Sequence, residues 1–177
     1  MKALSEIGFF NAIKYAFFEL FHYFLNLMIF PPLKNFFLRL FGAKIGRNSI
    51  LLKCKFINIY RGGFSSFKVK NNCFIGEDVI LDLADNIEIG NNVSFGPRAI
   101  VLTHTNVGYK NHPLQKYFPS KNLPVRIDDN CFIGANAIIL PGITIEKNSF
   151  IAAGAIVTKN VPKNSLVIGT KIKKIKK

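Results

Sequence analysis

Two of the chain's three histidines, His104 and His112, fall in one stretch between Val101 and Val125, LTHTNVGYKNHPLQKYFPSKNLP. A neutral imidazole near pH 7 is matched to taking a proton from an attacking group. The same stretch holds Tyr109, Tyr117 and Phe118 with Lys110, Lys116 and Lys121, and Arg98 and Arg126 stand at its edges. His104 and His112 are the two candidate bases, and Tyr109, His112 and Tyr117 are the candidates for holding a substrate. The stretch stands out because it interrupts a repeat, and a long irregular segment inside regular structure is commonly functional.

The repeat is clearest from Val125 to Pro162, where Ile127, Ile133, Ile139, Ile145, Ile151 and Val157 recur at every sixth residue. Four residues after each comes Cys131, Ala137, Ile143, Ser149, Ala155 or Val161, small or apolar throughout. A period of six fits neither a helix nor a plain strand; it fits a triangular solenoid with one short strand per hexapeptide. The beat begins at Ile45, runs through Leu51 and Ile57, is lost over Arg61 to Lys68, and returns at Val69, Ile75, Leu81 and Ile87. Two-residue jumps then carry it to Ile89, Phe95 and Val101 and on to the Ile127 series, each jump reading as a corner insertion. The pairs Asn71-Asn72, Asn91-Asn92, Asp129-Asn130 and Lys147-Asn148 suit corners, since Asn accepts left-handed backbone angles at small cost. The expectation is an all-β protein: a parallel β-helix of roughly five coils at ~4.8 Å per coil, with an N-terminal helical appendage and an extended loop near 103–124.

Residues 1–42 are a separate unit rich in Phe. A helix is expected over 5–30, ended by Pro31 and Pro32, and a second amphipathic segment over 33–41. The uncharged run from Leu20 to Leu33 is shorter than the roughly twenty residues a bilayer span takes. Two readings stay open: an in-plane membrane anchor drawn to anionic lipid, or a cap on the open end of the solenoid. Residues 43–169 form the solenoid and 170–177 a basic tail. The net charge of +14 favours anionic partners. Cys54, Cys73 and Cys131 are odd in number and unpatterned, which suits reduced core residues in a cytoplasmic setting. The apolar N-terminal stretch lacks a small-residue cleavage site, so no secretory signal is expected.

The segment IGANAIILPGITIEKNSFIAAGAIVTKNVP, in register with the earlier coils, resembles the signature coils of the left-handed β-helix hexapeptide acyltransferases, in their sugar O-acetyltransferase branch. The likeness covers about 43–177, and Leu38 to Gly46 is similar to the start of the solenoid in enzymes of capsule and exopolysaccharide assembly. Left-handed coils are what the resemblance implies, against the general preference for right-handed crossovers. It also implies acetyl-CoA as co-substrate, a glycan acceptor, no metal, and a homotrimer with sites between subunits. His104 stands where such enzymes carry their general base, and Ala135, Ala153, Thr158, Lys159 and Lys176 where they meet acetyl-CoA. After Gly169 the chain departs from the family, with Thr170-Lys171-Ile172, so the turn before the tail is expected to differ.

A carboxylate often orients such a base, and Asp82 and Asp85, one coil earlier, are both candidates. No Cys or Ser stands out as a nucleophile, which favours direct transfer in a ternary complex over an acyl-enzyme. The expected function is O-acetylation of a sugar hydroxyl for a surface glycan, in the cytoplasm at the inner face of the membrane. N-acetylation of a nucleotide-linked amino sugar is the alternative, and a non-catalytic scaffold with an anion- or lipid-binding tail is the alternative from another class. Nucleic acid is not an expected partner. A zinc hydratase on the same fold would need three converging His, whereas His22 lies far from the loop that holds the other two.

Overall fold

The computed structural model describes residues 8–108 and 111–175, so Tyr109 and Lys176 lie outside the described residues. Three parallel sheets form the walls of a triangular prism, and every coil contributes one strand to each wall. The coils are β1 (Lys44–Ile45), β2 (Ile50–Leu51) and β3 (Lys55–Ile57); β4 (Phe67–Val69), β5 (Phe74–Ile75) and β6 (Ile80–Asp82); and β7 (Ile87–Ile89), β8 (Ser94–Phe95) and β9 (Ile100–Val101). After β10 (His104–Thr105) and β11 (Lys121–Asn122), two more follow: β12 (Val125–Ile127), β13 (Phe132–Ile133) and β14 (Ile138–Ile139), then β15 (Thr144–Ile145), β16 (Phe150–Ile151) and β17 (Ile156–Val157). The hexapeptide beat therefore reads correctly as five coils, with β18 (Ser165–Ile168) opening a sixth.

The beat residues fill the prism: Leu51, Ile75, Phe95, Ile133 and Ile151 stack inside one wall, all buried. Cys54, Cys73 and Cys131 are free and buried in this core, where burial pushes their thiols up. One corner carries a left-handed Asn in every coil, Asn48, Asn72, Asn92, Asn130, Asn148 and Asn164. Their side chains form a ladder along the edge, with Asn92 donating to Asn130, Asn130 to Asn148 and Asn148 to Asn164, each at 3.0 Å. At a second corner the backbones touch: a Cβ at Gly134 would lie 2.5 Å from the Ala153 nitrogen. Gly134→Ala must push two coils apart, and is expected to destabilise by about 1–3 kcal/mol; a thermal midpoint equal to wild type would contradict this close approach.

The segment where the beat lapses is a bulged corner, made of α3 (Ile59–Gly62) and a 3₁₀ turn at Phe64–Ser66. On it lies α1 (Phe9–Leu27), with Phe18 and Phe21 against Phe64 and Tyr15 against Tyr60. The second helix, α2 (Pro31–Leu40), starts at the prolines themselves, because proline at the first helical position gives up only an N–H that has no partner there. It covers the first coil, whose carbonyls have no preceding coil to accept from. Lys34 Nζ donates to Leu52 O (2.7 Å), Asn35 Nδ2 to Ser49 O (2.7 Å) and Arg39 Nε to Ile45 O (2.9 Å). At the other end the basic tail turns back through Gly169 as β19 (Lys171–Lys174), antiparallel to β18. Lys171–Lys174 of the tail are thus a strand, and the lysines of that strand blunt an edge that would otherwise invite pairing.

The outer faces of the walls differ. The β1 wall presents Lys44, Lys68, Glu88, Arg126 and Thr144, the β2 wall Ile50, Phe74, Ser94, Phe132 and Phe150, and the β3 wall, above Lys55, Ile80, Ile100, Ile138 and Ile156.

Candidate active site

The corner that follows the β3 wall collects the chemistry. Strand pairing sets Ile57 beside Asp82, Leu81 beside Val101, Val101 beside Ile139 and Ile139 beside Val157. The next residues round the corner, Asp82, Leu102, Leu140 and Thr158, are therefore stacked, with Asn58 one position further along in the coil below and Thr103-His104 one and two positions further along in the coil above. His104 begins β10, which pairs antiparallel with β11, His104 opposite Asn122, so the loop leaves and returns as a ribbon. Its base is tied down by Leu123 N–H donating to Thr103 O (2.8 Å) and by Leu123 packing over Gly142.

Asp82 is fully buried, and its Oδ2 lies 2.5 Å from His104 Nδ1. Oδ2 also accepts from the N–H groups of Thr103 (3.0 Å) and His104 (3.1 Å), while Oδ1 accepts from Asn58 Nδ2 (2.8 Å) and the Ala84 N–H (3.2 Å). Burial alone would raise the carboxyl, but the hydrogen bonds from His104, the Thr103 N–H and Asn58, with the field of His104, hold it below the usual carboxylate range. An ionised carboxylate only accepts, so the ring proton resides on Nδ1 and Nε2 is left as the basic atom. The His104 side chain keeps 21% of its exposure, enough to meet a substrate.

Of the two candidate carboxylates, only Asp82 reaches the imidazole. The Asp85 carboxylate accepts from the Asn86 backbone N–H (2.7 Å) and side-chain amide (3.1 Å), which closes the 82–86 corner. His112 is placed otherwise than His104: its Nδ1 accepts from the Leu114 N–H (3.2 Å), capping a 3₁₀ turn at Pro113–Lys116. Tyr117 stands out in solvent with Lys116 Nζ 4.7 Å from its ring centre.

Ala135 and Ala153 share the corner before the β3 wall, and Thr158 and Lys159 the corner after it. Between the two pairs runs the outward aliphatic row of Ile138 and Ile156. In the last full coil the first of these corners has room, since nothing lies within 4 Å of a Cβ built at Gly154. Thr158 is two coils beyond His104, about 10 Å along the axis at ~4.8 Å per coil. The four residues thus border one open, apolar strip that leads toward the histidine's corner. Among the described residues no three His, Cys, Asp or Glu side chains form a group that could hold a metal ion.

Two members of the site escape a reading of the sequence. Asn58, left-handed at φ 56°, donates to Asp82 from one coil below. Thr103 links both carboxylate segments, donating from Oγ1 to Asp82 O (2.7 Å) and accepting from Asp85 N–H (3.0 Å). The one signal for Asn58 was its position, directly after Ile57 at the last beat before the repeat lapses.

Comparison with known proteins agrees with this architecture. Residues 124–159 match the model of the hexapeptide repeat of succinyl-transferase. A galactoside O-acetyltransferase of Lactococcus lactis is 42% identical over 96 residues, covering 51% of this chain and 44% of that protein. A galactoside O-acetyltransferase of Escherichia coli is 34% identical over 113 residues, covering 64% and 50%. The crystal structure of a maltose O-acetyltransferase from Clostridium difficile 630 superposes with a TM-score of 0.76 at 26% identity, over 96% of this chain and 90% of that one. The chain spans about half the length of the curated relatives it matches.

Stacked hexapeptide coils interrupted by a ribbon that carries a histidine on a buried aspartate define a hexapeptide-repeat β-helix protein. Within that class the chain is similar in sequence and in fold to the galactoside and maltose O-acetyltransferases.

Proposed function

We propose that the protein is an acetyl-CoA-dependent O-acetyltransferase acting on a sugar hydroxyl, with His104 as general base. The observation that carries this is the His104 Nδ1 to Asp82 Oδ2 contact of 2.5 Å on a fully buried carboxylate. Nε2 takes the proton of the acceptor hydroxyl as its oxygen attacks the thioester carbonyl. The carbon–sulfur bond then breaks, the acetyl group stays on the sugar oxygen, and the imidazolium returns the proton to the leaving thiolate of coenzyme A. Asp82 holds the ring in the required tautomer and stabilises the imidazolium; acceptor and donor react in one ternary complex. The pantetheine arm lies on the strip bordered by Ala135, Ala153, Thr158 and Lys159, and the acceptor meets the loop side chains at Tyr109, His112 and Tyr117.

A homotrimer completes the site. The outward aliphatic row Ile80, Ile100, Ile138 and Ile156 and the exposed Phe118 favour cover by a second copy. A surface glycan of the capsule or exopolysaccharide kind, acetylated at the cytoplasmic side, is the acceptor class that suits an N-terminal unit so rich in exposed Phe.

The test is thiol release by the purified full chain supplied with acetyl-CoA and a panel of sugars, amino sugars and glycans. Release only with a hydroxyl acceptor, and an alkali-labile ester in the product, is the expected result. An amide product would move the activity to the amino-sugar class. Failure to bind acetyl-CoA in calorimetry would overturn the reading and leave a non-catalytic scaffold.

A further inference from the structure

The N-terminal helices pack Leu25, Leu38, Phe18 and Phe21 on the solenoid, bury polar groups there as well, and still leave a continuous apolar face outside. Facing the solenoid, His22 and Lys34 are buried, His22 Nε2 lies 2.8 Å from Asn26 Nδ2, and Lys34, Asn35 and Arg39 donate to the edge carbonyls of the first coil. Burial and the fields of Lys34 and Lys55 lower His22 to about 4, and burial lowers Lys34 as well. The outer face of α1 is a stripe at spacings of three and four, Phe10, Ile13, Phe17, Leu20, Phe24 and Leu27, every one exposed. On α2 the exposed large apolar residues are Leu33, Phe36 and Leu40, and Ile29 in the connection is 97% exposed. Ring contacts of Phe24 with Phe37 (5.7 Å) and Phe17 with Phe41 (6.3 Å) join the two helices into one apolar surface. A contiguous exposed apolar face of this extent marks a site of interaction. Among the described residues no helix is long and apolar enough to cross a membrane.

The charge around this surface selects its occupant. Up to residue 76 the chain carries eleven Lys and Arg against two acids, Glu6 and Glu19. Lys14, Arg39, Lys44, Arg47, Lys53 and Lys55 are all exposed on the helices and the first coil. Two copies meeting through this end would bring like charges together, whereas an anionic lipid surface complements them. We infer that α1 and α2 lie in the plane of an anionic bilayer, the Phe17–Leu20–Phe24–Leu27 face among the acyl chains and the basic first coil at the headgroups. The solenoid is thereby held by its first coil against the membrane through the same helix that closes its edge. The inference does not depend on acetyl transfer, and its test reads binding alone.

The experiment is flotation of the full chain with phosphatidylcholine vesicles prepared with and without phosphatidylglycerol. The chain is expected to float with the anionic vesicles, at least about ten-fold better than with neutral ones, and to be released in part by high salt. The variant Leu20→Ser, Leu27→Ser, Leu40→Ser alters only exposed positions and is expected to lose about ten-fold or more of that binding. The chain contains no Trp, so Leu20→Trp introduces a single indole whose emission is expected to shift to the blue on vesicles and to be quenched by brominated acyl chains. Wild-type chain that stays unbound, a triple variant that floats equally well, or an unshifted indole overturns the proposal. So does light scattering without lipid in which the wild type forms an oligomer that the triple variant loses while neither binds vesicles, since the face is then an interface between copies.

Discussion

His104→Ala is expected to lower kcat by about 10²–10⁴-fold, the usual worth of a positioned general base, with the KM for acetyl-CoA within about two-fold of wild type. The protein itself should remain folded. The imidazole is partly exposed, and its removal leaves Asp82 with the Asn58 amide and three backbone N–H donors. Because the loss falls on kcat and not on KM, it marks an interaction made chiefly in the transition state. Steady-state kinetics beside a thermal melt separates this from misfolding. Full turnover in the variant would move the base elsewhere, His112 being the next imidazole, although its Nδ1 is engaged with the Leu114 N–H.

Asp82→Asn is expected to harm both rate and stability, although it changes one atom. All five partners of the carboxylate are nitrogen donors: Asn58 Nδ2, Ala84 N, Thr103 N, His104 N and His104 Nδ1. Whichever way an amide is flipped, its NH₂ faces at least two of them. The expected cost is about 3 kcal/mol, in the range for leaving a buried charged-group network unsatisfied. If the NH₂ meets Nδ1, the ring takes the other tautomer, Nε2 carries the proton, and kcat falls by about 10²-fold or more. Asp82 has a folded-state pKa below its unfolded value, so its contribution is complete above the usual carboxylate range and is lost as pH falls through the folded value. The gap in stability between wild type and Asp82→Asn should accordingly be constant from neutral pH down to mildly acid conditions and close only below about pH 4. Denaturant melts across that window check it; a gap that closed near neutrality would assign the effect to another group.

The two variants also divide the labour of the site. In the proposed mechanism His104 supplies the reacting nitrogen and Asp82 decides which nitrogen that is, through a contact supported from three coils. Asn58 comes from the first coil, Asp82 from the second, and Thr103 and His104 from the third. An error in any corner would displace the ring, which gives the bulge at 59–66 and the extra residues at 83–86 a second role as spacers that bring this corner into register.

Much of this architecture was legible in the residues. The six-residue beat assigns an inward or outward direction to nearly every solenoid position, because one strand and one corner repeat the same backbone path; hence the five coils and the buried Cys residues. Asn at the corners was equally readable, since left-handed φ is a local property: Asn72, Asn92, Asn130 and Asn148 all adopt it. The interruption after Val101 stood out for the same reason, as a break in a local pattern.

The amphipathic helices were legible as helices, but their orientation was not. Beside Leu25 and Leu38 the solenoid side also buries Lys34, Asn35 and His22, while Phe10, Leu20 and Phe36 stay exposed. The cause is non-local: the first coil offers carbonyls with no strand to meet them, and the side chains of Lys34, Asn35 and Arg39 donate to three of them. The tail shows the same limit, as nothing local in Lys171–Lys174 requires it to fold back on β18.

By itself the sequence determined the solenoid, its coil number, its corners and the histidine that interrupts it, because each of these is written in a short repeating window. Which carboxylate serves that histidine was decided only by the tertiary structure. Asp82 and Asp85 are three residues apart and equivalent in type. The stacking of coils turns the first inward beneath Thr103 and His104 and leaves the second to close its own turn. That choice depends on how many residues each irregular corner absorbs, a quantity fixed by contacts between coils some twenty residues apart and by no window of six.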